Sequence, residues 1–224
     1  MGYEKMDEVH DKVHRQEVLD VHLEGRAAPR FTLLIRTAKL ICGNADYLCV
    51  IRDVSAEGIS VRLFHPIPAA DEFILEMQTG DLHPVRAVWQ NPGEAGFQFV
   101  TPVDVERMIR RSSRFPKREL RFAAALPIKL VSRGVRQDAV MHNISQQGAM
   151  IECADRLAIA QTLMIEGPNL PDIEAKVRWR KAEQYGFIFD TTFRLHELAE
   201  IVHAMQKCTP VPSRSTGPTS GQST

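Results

Sequence analysis

Asp53-Val54-Ser55-Ala56-Glu57-Gly58 and Asn143-Ile144-Ser145-Gln146-Gln147-Gly148 are one short pattern written twice, 90 residues apart. Outward from these stretches the same offset recurs. Trp89 answers Trp179, Gly96-Phe97-Gln98-Phe99 answers Gly186-Phe187-Ile188-Phe189, and Lys39-Leu40 answers Lys129-Leu130. Upstream the offset becomes 91, and Arg30-Phe31 answers Arg121-Phe122. A unit of this length is too long for a solenoid repeat and matches a small domain, so the chain reads as two copies of one domain in tandem.

Within each copy the patterning is β. Ile59, Val61 and Leu63 alternate with Ser60 and Arg62, the period of a strand with one buried face. Similar runs cover Phe31 to Leu40, Tyr47 to Arg52, Ile59 to Phe64, Phe73 to Met77, Val85 to Trp89 and Gly96 to Val100. The second copy repeats them at Ala124 to Val131, Gln137 to Met141, Ala149 to Cys153, Thr162 to Glu166, Ala175 to Arg180 and Gly186 to Asp190. Gly43-Asn44, Pro66 to Pro68, Thr79-Gly80-Asp81 and Asn91-Pro92-Gly93 are turn signals between the strands of the first copy. Six short strands at this spacing predict a small barrel or sandwich. A helix follows each set. Val103 to Ser112 follows Thr101-Pro102, an N-cap and first-turn pair, and Phe193 to Met205 carries Leu195, Leu198, Ile201 and Val202 at helical spacing.

The resulting organisation is a polar segment over 1–24, domains over 25–113 and 114–206, and a Ser-, Thr-, Pro- and Gly-rich tail over 207–224 expected to be disordered. Met6, Val9 and Val13 allow a short helix in the first segment.

Composition narrows the function. The chain has 224 residues, 44% hydrophobic and 25% charged, which excludes a wholly disordered chain or a rod. Lys plus Arg is 28 and Asp plus Glu is 28, so the basic excess of a protein built to grip polynucleotide is missing. No apolar run reaches the roughly 20 residues that span a bilayer, and the start lacks a signal-peptide core. The expectation is a cytoplasmic protein without a membrane partner. Cys42, Cys49 and Cys153 lie in apolar runs and read as small core residues; Cys208 reads as an exposed thiol. The cysteines show no zinc spacing. His10 and His14 lack a third ligand, and His196-Glu197 with His203 lacks a metalloprotease spacing. With no P-loop and no G-x-S-x-G, the chain is read as non-catalytic and without a cofactor.

Arg26-Ala27-Ala28-Pro29-Arg30 sets two arginines four apart just before the first strand. With Asp53-x-Ser55-x-x-Gly58 it forms R-x-x-x-R followed by [D/N]-x-S-x-x-G. That pair of motifs resembles the PilZ domain family. Val85 to Trp89 and Gly96 to Phe99 also look like the family's closing strands, so the resemblance covers roughly 25–206 in two copies. It implies two tandem six-stranded β-barrels, each with a C-terminal helix, that bind cyclic di-GMP. Expected ligand residues in the first domain are Arg26, Arg30, Asp53, Ser55 and Gly58. The second copy departs from the pattern, because Lys117 stands four before Arg121. Lys lacks the bidentate fork, and the adjacent Arg118 offers a substitute. Lys117, Arg118, Arg121, Asn143, Ser145 and Gly148 are the expected second set.

The ligand chemistry agrees with these residue types. An arginine fork matches guanine O6 and N7, and it also stacks on bases or pairs with phosphate. Asp53 can accept from guanine N–H groups or fix an arginine. Ser55 can meet a phosphate or base edge, and Gly58 allows a positive φ or a close approach to ligand. The same Asp-Ser-Gly stretch also fits an ordinary turn. Trp89 and Trp179 fit the core best, with a ligand-facing aromatic as the alternative. Arg107, Arg110, Arg111, Arg114, Lys117, Arg118 and Arg121 form a basic run that reads either as an anion-binding linker or as a solvated face. Its thin aromatic content makes it a poor single-strand nucleic-acid binder. By family resemblance, outputs are motility, exopolysaccharide synthesis or surface attachment, reached through an unidentified effector protein. The rival reading is a ligand-free adaptor, and a homodimer stays open.

Overall fold

A computed structural model describes residues 31–109 and 119–208. The expected helix over 1–24, the 110–118 part of the basic run and the tail from 209 lie outside the described residues, as do His10, His14 and the Cys208 side chain. The chain divides into two compact units. One holds Tyr47–Arg121 with the preceding chain to Cys42 and Phe193–Glu200; the other holds Gly43–Asp46, Phe122–Thr192 and the chain from Ile201.

The first barrel is built from β1 (Phe31–Cys42), β2 (Ala45–Val54), β3 (Gly58–Leu63), β4 (Glu72–Met77), β5 (Leu82–Asn91) and β6 (Glu94–Phe99), and α1 (Val105–Ile109) follows it. Its strands close into a barrel in the order β1-β2-β3-β6-β5-β4, with antiparallel pairing. Closure leaves no free sheet edge, which removes a template for aggregation. Alternation drives the closure. Ile59, Val61 and Leu63 point inward beside Phe73, Leu75 and Met77, while Arg62, Glu72 and Ile74 stay exposed. Phe73 and Phe97 meet edge to face at 5.4 Å in the core.

The second barrel repeats the plan with β7 (Phe122–Ser132), β8 (Val135–Ile144), β9 (Gly148–Glu152), β10 (Thr162–Glu166), β11 (Ile173–Lys181) and β12 (Gln184–Phe189), and α2 (Leu195–Cys208) follows it in the chain. Its closed order is β10-β11-β12-β9-β8-β7. The two cores are not copies. Tyr185 occupies the position of Ala95 and is fully buried. Its hydroxyl donates to the Asp155 carbonyl at 3.1 Å and accepts from the Leu157 N–H at 3.3 Å, so the buried polar atom is satisfied. The β7–β8 hairpin turns through Arg133 and Gly134, both at positive φ, which gives the turn the twist of its strands.

Several local expectations change. The helix after the first barrel starts at Val105, not Val103. Asp104 caps it by accepting from the Arg107 N–H at 3.1 Å, in place of Thr101. The second helix starts at Leu195, not Phe193, and Glu197 reaches back to the Arg194 N–H at 2.7 Å. Cys42 is half-buried, whereas Cys49 and Cys153 are buried as expected. Burial pushes the Cys49 thiol up to about 12, so it is inert near neutral pH.

Candidate functional site

The repeated motif begins inside a strand. Asp53 belongs to β2 and Asn143 to β8, not to the loops that follow. Each strand carries a bulge at that point, between Ile51 and Asp53 in one barrel and between Met141 and Asn143 in the other. The bulge inserts one residue, so strict alternation fails. Ile51 and Val54 both point inward although they are three apart. Asp53 is turned to the outside and only half-buried.

Beyond the bulge, Ser55 closes the turn into β3. Its N–H donates to the Gly58 carbonyl at 2.8 Å, and its Oγ accepts from the Gly58 N–H at 3.1 Å. Ser145 holds the matching turn, its N–H and Oγ donating to the Gly148 carbonyl at 2.8 and 3.2 Å. Both serines are buried. Neither Gly58 nor Gly148 has a positive φ, contrary to one expectation. Both are needed because a neighbouring strand passes close. A Cβ at Gly58 would lie 3.1 Å from the Phe97 carbonyl oxygen, and one at Gly148 would run into the Phe187 carbonyl. The turn reading therefore fits Ser55, Gly58, Ser145 and Gly148, whose hydrogen bonds and close approaches hold the two turns.

Strand register joins Asp53 to other side chains outside the barrel. Asp53 faces Ser60, Ser60 faces Gly96, and Gly96 faces Trp89. This makes one row across β2, β3, β6 and β5. Ser60 Oγ donates to Asp53 Oδ2 at 2.8 Å. At the far end the Trp89 indole lies over Gly96, where an added Cβ would collide with the ring. Trp89 is 41% exposed and Trp179 40%, so neither is a core residue. A second bulge explains the change: it falls between Ala87 and Trp89, and between Val177 and Trp179, and turns each tryptophan out of the inward series of Val85 or Val177. The second row runs Ala123, Asn143, Met150, Gly186, Trp179.

The two faces differ in charge. Arg52, in the bulge beside Asp53, and Arg62, two residues beyond Ser60, are exposed on the same side of the row, and Arg62 also sits 5.2 Å over the Phe64 ring. Their counterparts are His142 and Glu152, paired at 2.8 Å. The first face thus carries two permanent cations, with Glu94 opposite Arg62, where the second has an imidazole and a carboxylate. The second face is also more apolar, with Met150 and Ile188 where the first has Ser60 and Gln98. Sequence reading missed Ser60, Arg52 and Arg62 because a polar residue on an outward strand face carries no local signal of what its neighbours across the sheet are.

Arg121 is exposed and directly precedes β7, whose Ala123 faces Asn143. Arg26, Arg30, Lys117 and Arg118 lie outside the described residues. A groove of about 390 Å³ on the first unit is lined by Leu82, His83, Val103, Arg107 and Met108 and includes none of the motif residues. Among the described residues no cluster of His, Cys, Asp or Glu has the make-up of a metal site, and no helix is long and apolar enough to cross a membrane.

The sequence profile of the PilZ domain matches residues 24–115 and 109–207. No curated protein sequence matches. The fold is similar to Borreliella burgdorferi PlzA solved in complex with c-di-GMP, at 12% identity and TM-score 0.33, covering 76% of this chain and 87% of that one. It is similar to the Bacillus subtilis inhibitor of motility MotI/DgrA, at 14% identity and TM-score 0.31, covering 78% and 96%. It is also similar to Escherichia coli YcgR in complex with c-di-GMP, at 10% identity and TM-score 0.28, covering 93% of each chain.

Proposed function

The chain belongs to the PilZ domain family, and on that premise we propose that it is a non-catalytic receptor for cyclic di-GMP. The reading assigns domains over 25–113 and 114–206. Binding brings Arg26 and Arg30 onto ligand at the first barrel and so changes the surface offered to a partner protein. The output is regulation of motility, exopolysaccharide synthesis or attachment through that partner. The driving term is differential contact, since the two arginines meet ligand only in the bound state.

The observation that carries the reading is the outward row from Asp53 to Trp89. Strands lie about 4.8 Å apart, so Asp53 and the indole over Gly96 stand about 10 Å from each other. A nucleotide laid along the row meets a carboxylate at one end and an aromatic face at the other. The carboxylate accepts from the N–H edge of guanine, and the indole stacks on a base. Arg52 and Arg62 add positive charge beside a ligand that carries two phosphates. Arg26 and Arg30 supply the forks for guanine O6 and N7. Ser55 and Gly58 serve by holding the turn that ends the row.

For the second barrel the proposed set is Lys117, Arg118, Arg121 and Asn143, with Ser145 and Gly148 holding the turn as Ser55 and Gly58 do, and with weaker binding. Its apolar Met150 and Ile188, and its lack of counterparts to the Arg52 and Arg62 guanidiniums, favour the adaptor reading for that barrel alone. The test is a calorimetric titration of the full-length protein with cyclic di-GMP at physiological salt. Saturable binding supports the receptor, and the stoichiometry bears on whether one or both barrels are competent; no heat together with no competition at high ligand overturns it. Arg26→Ala and Arg30→Ala should each weaken the first site by about 1–3 kcal/mol, and unchanged titrations for both would remove them from the site.

A further inference from the structure

We propose that Ser60 is a positioning residue that makes the first barrel selective for guanine, and that Met150 in its place deprives the second barrel of that selectivity. The inference rests on the receptor reading above. It starts from one hydrogen bond, Ser60 Oγ to Asp53 Oδ2 at 2.8 Å, between register partners on β2 and β3. Ser60 lies outside both repeated motifs, and its outward orientation leaves it no core to fill.

A carboxylate on a strand has two side-chain torsions to settle. The hydroxyl bond to Oδ2 restrains them, and a carboxylate offers about four acceptor positions in all. Guanine presents adjacent N1–H and N2–H donors on its Watson–Crick edge. A carboxylate held in one orientation receives them as a pair, whereas adenine presents an acceptor at N1 and opposes it. Holding Asp53 therefore turns a negative charge into a base reader.

The second barrel lacks the device. Asn143 stands at the equivalent register position, and its partner on β9 is Met150. A thioether has no hydrogen to donate. Asn143 also carries a donor amide beside its acceptor oxygen, so an unheld side chain can present either to a base.

Expected effects follow in the full-length chain, with cyclic di-GMP and cyclic di-AMP as probes in calorimetry. Ser60→Ala should weaken cyclic di-GMP binding at the first site about 3- to 10-fold, the usual worth of one such bond. It should narrow the preference for cyclic di-GMP over cyclic di-AMP, a change that loss of stability alone would not produce. Ser60→Thr, which keeps the hydroxyl and suits a strand, should restore both affinity and preference. Met150→Ser should raise the preference at the second site. If the unaltered chain binds cyclic di-GMP and Ser60→Ala keeps its affinity and base preference, the positioning role is wrong and the receptor stands. If the unaltered chain binds neither nucleotide, the receptor reading falls and this inference falls with it.

Discussion

Replacing Trp89 by alanine separates packing from ligand recognition at the far end of the row. Trp89 is 41% exposed, so somewhat more than half of the side chain touches protein. For a tryptophan of roughly 250 Å² that is about 150 Å² of contact, worth at most about 4 kcal/mol at about 25 cal/mol per Å². The part resting on Gly96 is lost outright, because glycine has no side chain to close the gap. Trp89→Ala should therefore lower the melting temperature of the first barrel. The exposed ring face carries the second prediction. Stacking on one base is worth about 1–3 kcal/mol, which is about 5- to 150-fold in Kd. Trp89→Phe keeps a flat face and should lose less on both counts. The assay is calorimetric titration with cyclic di-GMP beside a thermal melt. In a Trp179→Phe background Trp89 is the sole indole, and its fluorescence should respond to ligand. A melting shift with unchanged Kd and unresponsive fluorescence would refute the stacking role and leave Trp89 as a cover for Gly96.

Further expectations concern the scaffold. Gly148→Ala should destabilise its barrel more than Gly58→Ala does, although the motif position is the same. A Cβ at Gly58 sits 3.1 Å from a carbonyl oxygen and needs a few tenths of an ångström, while one at Gly148 overlaps backbone paired in a sheet. Denaturant unfolding of the two variants checks the order, and equal losses would contradict it. Burial lowers the His83 pKa from 6.5, with nearby Asp81 opposing it. Folding thus favours the neutral ring. That stability is complete above about pH 6.5 and is lost as pH falls through the folded-state value. His83→Gln should flatten the decline in melting temperature between about pH 7 and pH 5, and an unaltered slope would assign the decline to other groups.

Much of this molecule is legible in its sequence. The alternation of Ile59, Val61 and Leu63 against Ser60 and Arg62 dictates an outward and an inward face, because side chains on a strand have period two. The doubled Asp-Ser-Gly pattern and the paired Trp and Gly-Phe elements dictate two copies. Twelve strands and a helix after each set follow from that reading, and both barrels carry them.

What the tertiary structure alone decided lies where the period breaks. Alternation places Trp89 with Val85 and Ala87 inside the barrel; the bulge before it adds one residue and sends it out. Bulges are set by pairing between strands, which local sequence does not specify. Ile51 and Val54, three apart and both buried, are the trace such a bulge leaves in the hydrophobic pattern. The contact of Ser60 with Asp53, and the seat of Trp89 over Gly96, likewise depend on cross-strand register. Sequence determines which residues the two barrels own. Register decides which of them stand side by side, because hydrogen-bonded neighbours in a sheet are distant in the chain.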